Sequence, residues 1–337
     1  MARDESGDRV YTRDVTPRYL SDLPRGSSAE AEQSINRSKA DPALLCANRR
    51  IVCEAEFAMA LLQDGTGSMT VGVEMHHDKG ALISGQLKKH FGDPRLGYGV
   101  FTDVTDQYSD NTPIQMCEFV DPFNLEDSLE RVWIRSQTGG GNGRESPELL
   151  LWLLAHRTSL PNLKFGSCVI ISDEGARAQL YDRDLKRHLG GEVEATSIQD
   201  VIARLDKLFN GQVYHIHIPY INPGNSGPNE KQIIAEWREF LGEHRVLCMK
   251  DYYREVMGAS EIPTHLKQTA RMGRNCRPVT DVWLGINIIM SGGRTPEQYA
   301  EDMKAREQTD ERIDTVMDIL KVLKSPKTKP EPSINWL

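Results

Sequence analysis

Three oxygen-bearing side chains occupy alternating positions within residues 63–69 of the 337-residue sequence. They are Asp64, Thr66 and Ser68, and they follow the apolar run 57–62, which is typical of a buried strand. Open parallel sheets bind their ligands beyond the carboxyl ends of their strands, so we expect these oxygens to share one small volume there. Carboxylate and hydroxyl oxygens are ligands of hard cations such as Mg²⁺. The segment therefore predicts a cation site.

Two further segments are predicted to reach the same edge of the sheet. Residues 138–146 form a glycine-rich loop that leads into a helix, and residues 171–175 end another predicted strand with Asp173. Each of these acids and hydroxyls, taken singly, is also a common helix cap. Because three separated segments share the same chemistry, we expect one metal site in place of independent caps.

The segments resemble the metal-ion-dependent adhesion site of the von Willebrand factor A family, and the resemblance covers roughly residues 50–255. The first motif of the family, Asp-x-Ser/Thr-x-Ser, is matched by Asp64, Thr66 and Ser68. The last motif, an Asp that closes the fourth strand, is matched by Asp173. The sequence Asp-x-Thr-Gly-Ser-Met that begins at Asp64 is similar to the first motif of the bacterial and phage-type members of this family.

The middle motif of the family is a Thr on a glycine-rich loop, and two residues remain candidates for it. The spacing to the following helix favours Asn142, whereas Thr138 has the matching hydroxyl four residues earlier. The resemblance implies that the three motifs hold Mg²⁺ through mostly neutral oxygens and leave one coordination position open. Mn²⁺ and Ca²⁺ accept oxygen ligands as well.

The resemblance further implies an interaction module without enzymatic activity. A dication with mostly neutral ligands attracts a carboxylate, so the expected partner is a protein that offers an Asp or Glu side chain. Bacterial members that resemble this chain are often adaptors of MoxR-type AAA+ ATPases or parts of defence systems. Such a partner is therefore the expectation at the level of the family.

Two alternative functions have weaker support in the sequence. A metal-dependent phosphoryl-transfer hydrolase would use Asp64 and Asp173. However, Leu62 stands where the haloacid dehalogenase phosphatases carry their nucleophile. A nucleic-acid-associated scaffold would use a basic stretch without interleaved aromatic residues, for which a solvated loop is the simpler interpretation. The members of this stretch are Lys267, Arg271, Arg274 and Arg277.

Four histidines are further candidates for metal ligands or other functional residues. His215 and His217 alternate in a predicted strand and so share one face, as the ligands of a transition metal would, but the sequence marks no third ligand. We expect them to be ordinary strand histidines. His76 and His77 are expected at a solvated helix start.

The elements that must position these residues alternate between apolar runs and amphipathic stretches. This order predicts a three-layer, doubly wound α/β fold with a mostly parallel sheet and one antiparallel edge strand. Strands are predicted at residues 57–62, 96–101, 114–120, 165–172, 213–218 and 245–249, and helices at 79–91, 125–133, 147–156, 198–209 and 230–241. Ser146 is expected to cap the helix that begins with Pro147. Residues 282–290 are either a strand or a buried helix, and Thr295 begins a further helix with a capping box.

We expect four regions along the chain. They are an extended or disordered arm at residues 1–48, a von Willebrand A-like domain at 49–257, a helical C-terminal extension at 258–324 and a mobile tail at 325–337.

The composition of the chain limits the classes of partner that we expect and the cellular compartment in which we expect the protein. Lys and Arg total 41 against 49 for Asp and Glu, a net charge of −8, which argues against a dedicated binder of nucleic acids or anionic membranes. The longest apolar runs fall short of the roughly 18 residues that a membrane helix needs. The six cysteines are scattered, and the first residues lack the order of a secretory signal. We therefore expect a cytoplasmic protein with reduced thiols.

Overall fold

The computed structural model describes residues 2–3, 9–10, 41–66, 69, 76, 79–105, 112–133, 144–219, 228–250 and 278–324. The strands within these residues are β1 (Ala2–Arg3), β2 (Arg9–Val10), β3 (Ile51–Val52), β4 (Phe57–Asp64), β5 (Pro94–Phe101), β6 (Ile114–Met116), β7 (Thr158–Ser159), β8 (Phe165–Ser172), β9 (Gln179–Leu180), β10 (Thr196–Ser197), β11 (Val213–His217) and β12 (Val246–Cys248). The α-helices are α1 (Gly80–Phe91), α2 (Leu125–Arg131), α3 (Pro147–Arg157), α4 (Asp182–Leu189), α5 (Ile198–Leu208), α6 (Glu230–Leu241), α7 (Val279–Met290), α8 (Pro296–Ala305) and α9 (Asp310–Leu320). Short 3-10 helices span Pro42–Leu44, Pro122–Asn124 and Glu243–Arg245.

The central sheet has the strand order β12-β11-β8-β4-β5-β6. Neighbouring strands run parallel except at one edge, where β6 pairs with β5 in the antiparallel sense and Gly99 faces Met116. From β4 the chain continues to β5 and β6 on one side, and it later returns to β8 on the other side. The order of the strands therefore reverses at β4, which is where doubly wound sheets bind their ligands. This topology confirms the predicted fold class.

Side chains of the central strands alternate between two apolar layers, one on each face of the sheet. In β4, Leu61 packs in the layer covered by helices α1, α2, α7, α8 and α9. Ala60 and Leu62 pack in the opposite layer, which helices α3, α4, α5 and α6 cover. Burial on both faces explains why β4 and β8 are largely apolar runs in the sequence.

Helix α7 resolves the ambiguous stretch 282–290, which is helical, and every residue of this helix is buried. Ser167 of β8 donates a hydrogen bond to Asn287 Oδ1 at 2.6 Å, and Asn287 Nδ2 donates to the Trp283 carbonyl at 2.8 Å. The side-chain amide of Asn287 thus has partners on the sheet and in its own helix, as buried polar groups require. No helix formed by the described residues has the length and apolar character needed to cross a bilayer.

The last two helices cover the outer side of α7. Thr295 begins α8 with the predicted capping box to Gln298. In α9, the Arg312 guanidinium donates two hydrogen bonds, of 2.8 and 2.5 Å, to the buried carboxylate of Asp281 in α7. Charge-assisted bonds of this kind offset the cost of burying the carboxylate. The C-terminal helices therefore share one hydrophobic layer with the sheet.

The described end of the N-terminal arm, residues 41–48, packs on the sheet domain. Leu44 and Cys46 are buried, and the Asn48 amide donates to the Leu189 carbonyl at 2.6 Å. The described cysteines are free thiols, of which Cys46, Cys53, Cys117 and Cys168 are buried and Cys248 is half-buried. The four buried thiols belong to the core. Cys276 lies outside the described residues.

Substitution of Gly285 tests the docking of α7. A Cβ at this position would stand 2.5 Å from Leu320 Cδ1 and 2.9 Å from Tyr299 Cε1. We expect Gly285→Ala to lower the free energy of unfolding by about 1–3 kcal/mol, because overpacking outweighs the gain in helix propensity. Urea-induced unfolding measures this change. Gly85→Ala, at an exposed position of α1 with no atom within 4 Å of the new Cβ, is the matched control and should stabilise by about 0.5–1 kcal/mol. Equal stability of Gly285→Ala and the unchanged protein would contradict the packing.

Candidate metal centre

The structure brings two of the predicted acids together at the carboxyl edge of the sheet. Asp64 is the last residue of β4, and Asp173 directly follows β8, the neighbouring parallel strand. Both carboxyl groups are buried, and so is Thr66. Three predicted ligands, Ser68, Thr138 and Asn142, lie outside the described residues and stay predictions.

The Asp64 carboxylate is held by donors from two segments. Its Oδ1 accepts hydrogen bonds from the Thr66 amide at 2.9 Å and from the Thr66 hydroxyl at 2.6 Å. Its Oδ2 accepts a hydrogen bond from the Ser172 hydroxyl at 2.9 Å. These bonds fix the carboxylate at the end of β4 and place a hydroxyl oxygen beside it, which is the donor set that a hard cation requires.

Gly65 allows the chain to leave β4 close to the neighbouring strand. Its amide donates to the Phe101 carbonyl at 2.9 Å, and a Cβ at this position would stand 2.4 Å from Val100 Cγ1. A larger residue would push the loop away from β5 and carry Thr66 with it. The glycine of the first motif thus has a steric role in positioning the site.

Burial raises the pKa of Asp64 to about 6, although hydrogen bonds from Thr66 and Ser172 and the contact with Asp173 oppose this effect. A carboxyl group removed from water favours its neutral form unless a cation or donors compensate the charge. A cation beside Asp64 and Asp173 would therefore stabilise the ionised form of this buried pair.

Further acids surround this pair, and the sequence analysis missed them. Asp103 lies two residues after the end of β5, Glu174 follows Asp173, and Glu145 precedes α3. Burial raises the pKa of Glu174 to about 7, and the charges of Asp64 and Asp103 add to the effect. The position of Asp103 at a strand end is a signal that a search of all strand ends would have found.

Arg177 neutralises part of this acidic charge. Its guanidinium forms an ion pair with Asp103 and lies 3.4 Å from the Glu148 carboxylate. The same group hydrogen-bonds the Ser146 hydroxyl. Ser146 stands at the start of α3 before Pro147, as predicted, but its hydroxyl accepts from the Val104 amide at 2.9 Å and makes no cap bond to its own helix. The Ser146 hydroxyl is therefore bonded to the loop after β5 and not to its own helix. Ser146 thus links that loop to the segment that precedes α3.

The paired strand histidines pack in the core. His215 and His217 are buried in β11 with ring centroids 5.9 Å apart, and His215 stacks on Trp237 at 4.2 Å. Burial lowers the pKa of His217 to about 4, so its ring is neutral. His76 is not at a solvated helix start as expected: it is buried, and its ring lies 6.0 Å from the Tyr98 ring in an edge-to-face arrangement. The apolar surface of β5 explains this position, and His77 lies outside the described residues.

Within the part of the chain that the structure describes, His, Cys, Asp and Glu side chains alone form no group of three able to hold a metal ion. A cation beside Asp64 would therefore need hydroxyl or amide oxygens as well, such as that of Thr66. The candidate basic stretch, Lys267, Arg271, Arg274 and Arg277, falls outside the described residues.

No protein-family model and no curated protein matches this chain. Solved structures match it over part of its length. They include proximal thread matrix protein 1 from the mussel byssus, with 12% identity, a TM-score of 0.36, and coverage of 71% of this chain and 50% of that protein. A von Willebrand factor type A protein from Catenulispora acidiphila has 12% identity, a TM-score of 0.33, and coverage of 68% and 43%. The pilus adhesin SpaC from Lactobacillus rhamnosus GG has 8% identity, a TM-score of 0.43, and coverage of 72% and 32%.

The chain thus spans half or less of the length of these structures. At this level of similarity the fold class rests on the strand order of the chain itself, β12-β11-β8-β4-β5-β6. The chemistry of the site rests on its own residues.

The buried glutamate beside Arg177 predicts a pH dependence of stability. Burial raises the pKa of Glu148 to about 7 from an ordinary 4.5, and Arg177 opposes the shift. The folded state binds this proton more tightly, so the stabilisation is complete below pH 4.5 and is lost as the pH rises through 7. We expect the free energy of unfolding of the unchanged protein to fall between about pH 5 and pH 8. The decrease should be smaller in Glu148→Gln, by about 1–3 kcal/mol, because this variant has no carboxyl proton to lose.

Urea titrations across this pH range measure the difference. Glu239→Gln, on the exposed side of α6, removes the same charge and should keep the profile of the unchanged protein. Identical profiles for Glu148→Gln and the unchanged protein would contradict the assigned role of burial.

Proposed function

We propose that this chain is a protein-interaction module of the von Willebrand A type, in which a divalent cation is bound by Asp64, Thr66 and Asp173. Ser68 and either Thr138 or Asn142 would complete the set of ligands. Mg²⁺ is the first candidate because the ligands are oxygens, and Mn²⁺ and Ca²⁺ are accepted by the same chemistry. The single observation that carries the proposal is the buried Asp64–Asp173 pair at the point where the strand order reverses.

The described residues fit such an ion in their chemistry. Burial of adjacent carboxylates is costly without a compensating cation or proton. The Thr66 hydroxyl, 2.6 Å from Asp64 Oδ1, adds a neutral oxygen donor from the same loop. Ser172 would keep its hydrogen bond to Asp64 Oδ2 and so orient that carboxylate from the second strand. Bonds of this outer type commonly tune the affinity of a metal site.

The cation would supply an electrophilic position for an acidic side chain of a partner protein. The chain contributes the frame, because the amide of Gly65 fixes the first loop to β5 and Ser172 fixes Asp64 to β8. A MoxR-type AAA+ ATPase or a component of a defence complex is the first partner to test, on the family resemblance alone. The described cysteines form no disulfide with one another, which is compatible with the proposal that this interaction takes place in the cytoplasm.

The proposed role is binding and not catalysis. Leu62, at the position where a dehalogenase-like nucleophile would stand, is wholly buried in the apolar layer under α3. A leucine in that layer has no nucleophilic group to offer to a phosphoryl substrate. The described residues therefore support the interaction module over the phosphoryl-transfer alternative.

Removal of either paired acid tests the cation site. We expect Asp64→Asn and Asp173→Asn each to weaken Mg²⁺ binding about tenfold or more, because each removes a charge that compensates the ion. Isothermal titration calorimetry with MgCl₂ measures the dissociation constants. Asp182→Asn, at the exposed first turn of α4, is the control and should bind Mg²⁺ as the unchanged protein does. Absence of any heat of binding in the unchanged protein would refute the site.

Capture of a partner tests the interaction itself. We expect proteins from a lysate of the source organism to be retained on the immobilised chain in Mg²⁺ and released by EDTA. The Asp64→Ala variant should retain none of the same proteins, because it lacks the cation that receives the acidic side chain. Mass spectrometry identifies the released set. A set that is insensitive to both EDTA and Asp64→Ala would rule out cation-dependent binding.

A further inference from the structure

Glu145 lies over the end of the central strand. Its amide donates to the Gly175 carbonyl, after β8, at 3.0 Å, and the next amide, of Ser146, donates to the Thr102 carbonyl, after β5, at 3.2 Å. Strands β8 and β5 flank β4 on its two sides. The peptide between Glu145 and Ser146 therefore bridges the two loops across the carboxyl end of β4, where Asp64 stands.

The side chain of Glu145 is enclosed at this position. The residue is 1% exposed, and no hydrogen-bond partner for its Oε2 is found among the described residues. Burial raises the pKa of Glu145 well above its usual value, and the charges of Asp64, Glu174, Asp103 and Asp173 raise it further. These four acids are thus close enough to act on Glu145 through their charges, and the carboxyl group belongs to the same buried acidic cluster.

Glu148, three residues later, shows what the chain does for a buried acid with a structural role. Its two carboxylate oxygens each lie 3.4 Å from a nitrogen of Arg177, one from the guanidinium and one from the backbone amide. Glu145 precedes the same helix with the same degree of burial, yet its Oε2 has no hydrogen-bond partner among the described residues. A buried carboxylate oxygen without a donor is costly to the folded state. A cation bound nearby would lower the electrostatic part of that cost.

We propose that Glu145 is a further residue of the cation site and acts on the bound ion by its charge. This inference rests on the proposed function and assigns it a residue outside the three motifs. The acids of the described residues alone form no metal-binding group, so the inference assigns to Glu145 an effect of its charge and not a ligand bond. Attraction between opposite charges is strong in a buried setting that water screens poorly. The carboxylate would therefore raise the affinity for a dication and destabilise the ion-free protein.

The variant Glu145→Gln separates these two effects, because it keeps the shape of the side chain and removes its charge. We expect the dissociation constant for Mg²⁺ to rise about tenfold or more by calorimetry. We also expect the melting temperature in EDTA to rise, because the variant lacks a buried acid that the neighbouring carboxyl groups repel. The increase in melting temperature on addition of Mg²⁺ should shrink. A purely structural residue would lower the melting temperature in EDTA.

Glu192→Gln, at an exposed position before β10, is the matched control and should leave all three quantities unchanged. If the unchanged protein binds Mg²⁺ and Glu145→Gln binds it equally well, the role of Glu145 is overturned while the proposed function stands. If Glu145→Gln melts earlier in EDTA or fails to fold, the residue is structural and the inference is also overturned. If the unchanged protein binds no Mg²⁺ and Asp64→Asn behaves identically, the proposed function falls together with this inference.

Discussion

The burial of the Asp64 carboxylate at the end of the central strand is the constraint around which this edge of the molecule is built. An acid removed from water must be given hydrogen-bond donors, a proton or a cation. The chain provides donors in Thr66 and Ser172. It also sets a second buried acid, Asp173, in contact with Asp64, so two carboxyl groups share one site from which water is excluded. Such an arrangement has no advantage for stability alone and is typical of a functional site.

The fold makes this convergence unavoidable. Parallel strands end at the same edge, and the order reverses at β4, so the segments after β4, β5 and β8 meet around one point. Backbone hydrogen bonds then join the segments: Gly65 to Phe101, Glu145 to Gly175 and Ser146 to Thr102. The frame is therefore a set of cross-links between loops, supported by helices that pack on both faces of the sheet. Movement of one loop would disturb the others.

The parts of the fold that the sequence predicted are those set by local pattern. Strands β4 and β8 are largely apolar runs, β11 alternates apolar residues with His215 and His217, and Thr295 carries its helix signal within four residues. Residues 282–290 were ambiguous because a short apolar run has no polar face to reveal its period. Its helical state depends on tertiary partners, namely Ser167 for Asn287 and Arg312 for Asp281.

The site was predictable to the same extent. Asp64, Thr66 and Asp173 stand at strand ends, which the sequence marks directly, and they are found together. Asp103 has the same strand-end signal, whereas Glu145 is brought to this edge only by the crossovers that join distant loops, so no local pattern predicts it. His76 was misassigned because its burial depends on Tyr98 of β5, a contact made across the fold. Ser68, Thr138 and Asn142 stay predictions.

The proposed site also links cation binding to protons. Burial raises the pKa of Asp64 to about 6, and burial together with the charges of Asp64 and Asp103 raises the pKa of Glu174 to about 7. In the absence of an ion, the cluster can reduce its repulsion by retaining protons, in addition to the ion pair that Arg177 forms with Asp103. A bound dication would displace such protons, so its binding would release them, and its apparent affinity would fall as the medium becomes more acidic. The same crowding of acids would therefore supply the attraction for the proposed cation, and the burial of Asp64 at the end of β4 would help to set the pH range of that exchange.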